Sequence, residues 1–294
     1  MKGIILSGGT GSRLFPITLS ISKQIIPIYD KPMIYYPLSI LMLAGVKDIM
    51  IITNKEHLNV FKNQLGDGSS LGIKISYEIQ NKPNGIPEAF LISEKFINDE
   101  EVLLILGDNL FYGQQLGLIL KNSFNKKDGA KIFLHQVKNP NEYGVVELDN
   151  KKKIKKIVEK PKKLISNYAV TGMYLFDRKV VSLSKKLKPS KRNELEITDL
   201  LNFYLKKNKL NYEILGRGFT WFDAGTHDSL LSASQFIKAV EERQGFKIGC
   251  IEEIAYANNW IDKIKLKKVM LKYKNSSYGL YLNNILKKNS SHIR

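Results

Sequence analysis

Lys2-Gly3-Ile4-Ile5-Leu6-Ser7-Gly8-Gly9-Thr10-Gly11-Ser12-Arg13-Leu14 is the stretch whose reading decides the fold. Ile4, Ile5 and Leu6 form a short apolar run that stops abruptly at glycines, the pattern of a buried strand feeding a loop. With glycine at 8, 9 and 11, little side-chain bulk keeps another group away from the backbone. Successive N–H groups can then curl around an anion and act as fixed partial positive charges. Arg13 adds a planar, permanent cation suited to phosphate oxygens. A G-x-G-x-x-G pattern fails at Leu14, and no G-x-x-x-x-G-K-[ST] occurs, so neither standard phosphate motif applies. On local grounds an ordinary strand-to-helix turn explains the stretch equally well.

Working outward, Pro32 to Gly45 reads as a helix, Asp48 to Thr53 as a second buried strand, and a further helix runs to Leu65. Ile73 to Ile79 reads as a third strand, followed by a helix from Pro87 to about Phe96. This alternation predicts an α/β fold with a mixed, mostly parallel sheet flanked by helices. Val102 to Leu106 is a fully apolar strand with Asp108 just past its carboxyl end, where ligands bind in open α/β sheets. Leu110 to Phe124 is expected to be a helix. Lys151 to Lys156, between two strand-like segments, reads as a solvated hairpin turn. Phe219 to Asp223 is an aromatic strand ending in a second aspartate. The expected division is a main domain over 1–245 and a helical C-terminal appendage over 246–294, used for packing or subunit contact.

Composition narrows the function. The net charge of +18 invites a nucleic-acid reading, but only six of the 46 basic residues are arginine, and the lysines are spread along the chain. No uncharged apolar run is long enough for a membrane helix, and the first apolar run is too short for a signal peptide. The single cysteine, Cys250, fits a reducing cytoplasm. Neither nucleic acid nor a membrane is therefore an expected partner.

The residues themselves suggest a site for phosphates. Asp108 and Asp223 each follow an apolar strand, and such a pair can hold Mg²⁺, whose other ligands come from phosphates and water. The glycine loop at 8, 9 and 11, with Arg13 and with Lys23 close by, suits a nucleoside triphosphate. Lys23 by itself is more simply a surface lysine. Gln80 can donate to and accept from a base edge at once, and Gly85 would let a flat ring approach. A loop glutamine and a turn glycine explain those two positions as readily. Lys160 would serve a second phosphorylated partner. Phosphoryl and nucleotidyl transfers rest on positioning and electrostatics, so the absence of a Ser/His/Asp or Cys/His set is tolerable.

Leu6-Ser7-Gly8-Gly9-Thr10-Gly11-Ser12-Arg13-Leu14, Ser22-Lys23-Gln24, Leu106-Gly107-Asp108-Asn109 and Glu159-Lys160-Pro161 together resemble the sugar-phosphate nucleotidyltransferases. Tyr29 to Pro37, Tyr168 to Gly172, Glu194 to Asp199 and Trp221 to His227 extend the likeness, narrowing it to the branch that uses dTTP and glucose 1-phosphate. The resemblance implies a Rossmann-like nucleotidyltransferase fold. It also implies Mg²⁺-dependent transfer of dTMP to glucose 1-phosphate, with pyrophosphate leaving, as the entry to dTDP-L-rhamnose and other deoxysugars. It implies that Gly8, Gly9, Thr10, Gly11, Ser12, Arg13, Lys23 and Gln24 hold the triphosphate, that Arg13, Lys23, Asp108, Lys160 and Asp223 carry catalysis, that Gln80 and Gly85 read thymine, and that Asp108 and Asp223 hold the metal. Asn109, Tyr143, Gly144, Glu159 and Val170 would contact glucose, and Lys160 its phosphate. A cytoplasmic homotetramer and feedback inhibition by dTDP-L-rhamnose are further implications. UTP, another sugar 1-phosphate, or a non-catalytic sugar-nucleotide binder stand as alternatives.

The chain departs from the family pattern at several positions. Ser7 stands where Ala is common, Ser12 where Thr is common, and Ile86-Pro87-Glu88-Ala89 where Leu-Ala-Gln-Ala is usual. In the segment matched to the feedback site, Ile251 and Ala257 stand where Pro and Arg are expected.

Overall fold

The computed structural model describes residues 1–123 and 129–288. The strands are β1 (Lys2–Ser7), β2 (Pro27–Ile28), β3 (Lys31–Pro32), β4 (Asp48–Thr53), β5 (Lys74–Ile79), β6 (Val102–Leu106) and β7 (Asn109–Gly113). They continue with β8 (Ala130–Gln136), β9 (Gly144–Leu148), β10 (Ile154–Glu159), β11 (Tyr168–Phe176), β12 (Leu210–Leu215) and β13 (Phe219–Asp223). The helices are α1 (Tyr35–Leu43), α2 (Leu58–Leu65), α3 (Glu88–Ile92), α4 (Glu94–Ile97), α5 (Leu116–Ser123) and α6 (Val180–Ser184). The remaining five are α7 (Ile197–Lys206), α8 (His227–Gln244), α9 (Ile251–Ala257), α10 (Lys263–Lys272) and α11 (Ser277–Lys288).

Nine strands form one mixed sheet, ordered β10-β9-β11-β6-β1-β4-β5, with β8 joining β11 and β12 joining β8. The β6-β1-β4-β5 block is parallel, as expected for strands alternating with helices, and β11 adds to it antiparallel. Register places Leu6 beside Leu106, and Gly107 N–H donates to Leu6 C=O at 2.9 Å. The glycine turn and Asp108 therefore leave the sheet side by side.

One apolar layer packs α1 against a sheet face through Ile5, Ile51 and Ile105, and takes in Ile251, Ile254, Leu282 and Ile285 of the C-terminal helices. The opposite face is covered by α3, α6 and α7 through Phe90, Val180 and Leu200. A third cluster seats α8 on β7 and the short β2–β3 hairpin. The Lys151–Lys156 region is the expected hairpin. Asp149 Oδ1 accepts from Lys151 N–H and Lys153 N–H, both at 2.8 Å.

The expected helix from Leu110 is corrected. Residues 109–113 form β7 and pair antiparallel with β13, and only Leu116–Ser123 is helical; Phe124 lies outside the described residues. Paired aromatic strands bury Leu110 and Phe111 more completely than a lone helix start would.

Candidate active site

β7 and β13 build the centre of the site. Their register sets Asp223 opposite Asn109, and Ala224 N–H donates to Asp108 C=O at 2.9 Å. Two aspartates separated by more than a hundred residues thus meet beside the glycine turn. Lys23, expected on local grounds at the surface, is 9% exposed and ion-paired with Asp108 Oδ2. Asn109 Nδ2 donates to Asp108 Oδ1 at 2.9 Å. Asn109 Oδ1 in turn accepts from Trp221 Nε1 at 2.6 Å and from Gly172 N–H at 3.1 Å. Gly172 is small to admit Asn109, since a Cβ there would lie 2.5 Å from Oδ1.

The two carboxylates differ electrostatically. Burial favours protonation of Asp108, but the Lys23 charge and the hydrogen bonds from Lys23 and Asn109 hold it below the ordinary carboxylate range. Burial and the Asp108 charge push Asp223 up to about 6, against the opposing pull of Lys23 and Arg13. Arg13 lies against Gly225, where a Cβ would fall 2.5 Å from a guanidinium nitrogen and 3.1 Å from Asp223 Oδ1.

In the glycine turn, Gly11 has φ +66°, a conformation that few L-residues adopt without strain, and its C=O accepts from Thr18 Oγ1 at 2.8 Å. No hydrogen bond runs from the N–H of Gly9, Thr10 or Gly11 to another described residue. Exposed Gly9, Thr10, Ser12 and Arg13 make this an open anion cradle. Gln24 is buried, accepting from Ser22 Oγ at 2.8 Å.

A cavity of about 130 Å³ adjoins Asp223. Asn109, Tyr143, Gly144, Glu159 and Val170 all line it, together with Trp221 and Thr198, which sequence reasoning had not singled out. The Tyr143 ring packs 5.0 Å from the Trp221 ring, centre to centre. Burial and the neighbouring Glu196 raise the Glu159 pKa. Lys160 follows at φ +42°, its N–H donating to Tyr143 C=O at 3.0 Å. Arg192, also missed, reaches Glu196 at 2.7 Å and Glu159 at 3.9 Å.

Gln80 is buried against Gly8. Gly85 has φ +104°, and a Cβ on it would lie 2.0 Å from Leu195 C=O, so glycine is required there by packing as well as by backbone conformation.

Residues 2–240 match the family model described as nucleotidyl transferase. The chain belongs to that family. Among relatives, the glucose-1-phosphate thymidylyltransferase of Neisseria meningitidis serogroup A is 50% identical over 98% of this chain and 100% of its own. The protein of the same name from Xanthomonas campestris pv. campestris is 46% identical, covering 99% of each chain. A Bacillus anthracis structure, provisionally named glucose-1-phosphate thymidylyltransferase and solved with a sucrose, aligns with TM-score 0.75 at 45% identity over 80% of this chain and 94% of its own. A UDP-glucose pyrophosphorylase with UDP-glucose aligns with TM-score 0.70 at 26% identity, over 81% and 98% of the two chains.

The donor chemistry at the family's expected metal position fits Mg²⁺. Asp108 and Asp223 are hard oxygen donors, and no cluster of three or more His, Cys, Asp or Glu occurs among the described residues. A two-carboxylate site completed by phosphate oxygens and water is the usual Mg²⁺ arrangement. Burial and the Asp108 charge both disfavour ionised Asp223, and a dication would offset that cost.

Proposed function

We propose that this chain transfers the thymidylyl group of dTTP to α-D-glucose 1-phosphate, releasing pyrophosphate and forming dTDP-glucose. The observation that carries this reading is the convergence of Asp108, Asp223, Lys23 and Arg13 at the open glycine turn, with the lined cavity adjoining. Two relatives at 46–50% identity that bear the name of this activity support the substrates.

Unpaired N–H groups of the turn and the Arg13 guanidinium bind the triphosphate, while Lys23 adds positive charge beside Asp108. The glucose ring occupies the cavity, with Asn109, Gly144, Glu159 and Val170 against its hydroxyls. Lys160 draws the sugar phosphate toward the α-phosphorus for in-line attack. Asp108 and Asp223 would hold Mg²⁺, whose charge stabilises the negative charge that develops on the transferring phosphoryl oxygens. Holding both substrates in line supplies much of the rate, because no covalent intermediate is needed.

The same reading carries a cytoplasmic homotetramer under feedback control by dTDP-L-rhamnose. No helix among the described residues is long and apolar enough to cross a membrane. A cavity of about 550 Å³ between α1, the start of α5 and α9 includes Glu253 and Ile254 of the segment matched to the feedback site. Its cations are Lys121 and Lys247, and Ala257 supplies none.

A pyrophosphate-release assay over a matrix of dTTP and UTP with several sugar 1-phosphates tests the reading. The dTTP and glucose 1-phosphate pair is expected to give the highest kcat/KM. A clear preference for UTP or another sugar would reassign the substrates, and binding without turnover would refute catalysis.

A further inference from the structure

Gln80, at the end of β5, is 3% exposed, and its Nε2 donates to Glu88 Oε2 at 2.6 Å. The other carboxylate oxygen of Glu88 accepts from Asn84 Nδ2 at 2.7 Å, so Glu88 is anchored from both sides. A carboxylate offers only acceptors, which fixes the amide nitrogen of Gln80 toward Glu88. The amide is planar, and its carbonyl is therefore turned the other way. It lies against Gly8, where a Cβ would sit 2.2 Å from Oε1. Oε1 accepts no hydrogen bond from another described residue and is not among the fully buried unpartnered atoms. A free acceptor thus faces the glycine turn, and the charged partner behind it makes that orientation stronger than a neutral hydrogen bond would.

We infer that Glu88 is a positioning residue for base selection: it locks the Gln80 amide as an acceptor, so that the site takes pyrimidines carrying a ring N3–H and disfavours those whose N3 is a lone pair. Thymine and uracil have that N–H, while cytosine presents an acceptor at N3 and an amine at C4. The inference rests on the base-reading role that the family resemblance implies for Gln80, and adds to it the residue that sets the polarity. Glutamine, usual at position 88 in the family pattern, can donate as well as accept, and would leave both amide orientations open.

The test compares dUTP with dCTP as competitors of dTTP in the pyrophosphate-release assay on the full chain. These two differ only at the Watson–Crick edge, so the 5-methyl group does not enter. The unmodified protein should prefer dUTP. In Glu88→Gln and Glu88→Ala the ratio of inhibition constants should shrink about tenfold, the size of one fixed hydrogen bond lost. Gln80→Ala should remove the preference. If Gln80→Ala removes it while both Glu88 variants keep it, with both constants merely rising together, Glu88 is structural only and the inference is overturned. If Gln80→Ala leaves the preference intact, the base-reading assignment fails and this inference falls with it.

Discussion

Asp108 and Asp223 show how one residue type acquires two behaviours from its surroundings. Asp108 has Lys23 and Asn109 and stays ionised, whereas Asp223 carries the cost of the pair. Asp108→Asn keeps a group that can accept from Lys23, so circular dichroism should be unchanged while kcat falls by about 10³-fold, the scale for losing one preorganised electrostatic contact. Wild-type turnover in that variant would remove Asp108 from the chemistry. Asp223 makes a prediction about stability. A folded pKa near 6 against the unfolded 3.8 means the native state gains by holding the proton, a gain complete below about pH 4 and lost as pH rises through 6. Asp223→Asn avoids that loss. In metal-free buffer it should be more stable than wild type at pH 7.5 by about 3 kcal/mol at most, with the gap shrinking at pH 4.5. Thermal melts at the two pH values check this, and a gap that widens at low pH contradicts it.

At the scale of elements, the site depends on a two-stranded ribbon that the sheet does not include. β7 and β13 carry Asn109, Trp221 and Asp223, and the Trp221–Asn109–Asp108 chain of hydrogen bonds ties their packing to the Asp108 carboxylate. The C-terminal helices are tied in by a different device. Tyr278 of α11 donates to Glu252, and Tyr281 of the same helix donates to Glu253 at 2.7 Å, placing two hydroxyls on two buried carboxyl groups of α9. Burial raises the Glu252 pKa. Tyr278→Phe leaves that group short of a partner and should cost about 1–3 kcal/mol, seen as a lower Tm. Since α9 and α11 share the apolar layer with α1, an unchanged Tm would mean that packing alone holds the helix.

For the molecule as a whole, the net charge of +18 is offset locally by ion pairs such as Lys31 and Lys247 with buried Glu241, and it concentrates in no nucleic-acid motif. The proposed tetramer gives light scattering of four chain masses. Ala257→Arg should strengthen inhibition by dTDP-L-rhamnose by about tenfold, the usual size of a restored charge-assisted contact, and no change would detach this segment from regulation. Much of the fold was legible in residues. The apolar run ending at Gly8, the strand before Asp108 and the strand–helix alternation determined a parallel-sheet α/β protein, because burial on both faces leaves continuous apolar strands as its trace. The identity of the candidate site was legible too, through ordered short motifs. Only tertiary structure decided that Lys23 is buried on Asp108, that Leu110 lies within a strand rather than opening a helix, that Gly172 serves Asn109, and that the Gln80 amide donates to Glu88. Each depends on a partner distant in sequence or on a side-chain direction. Local propensity carries no information about either, since both are fixed when the layers pack.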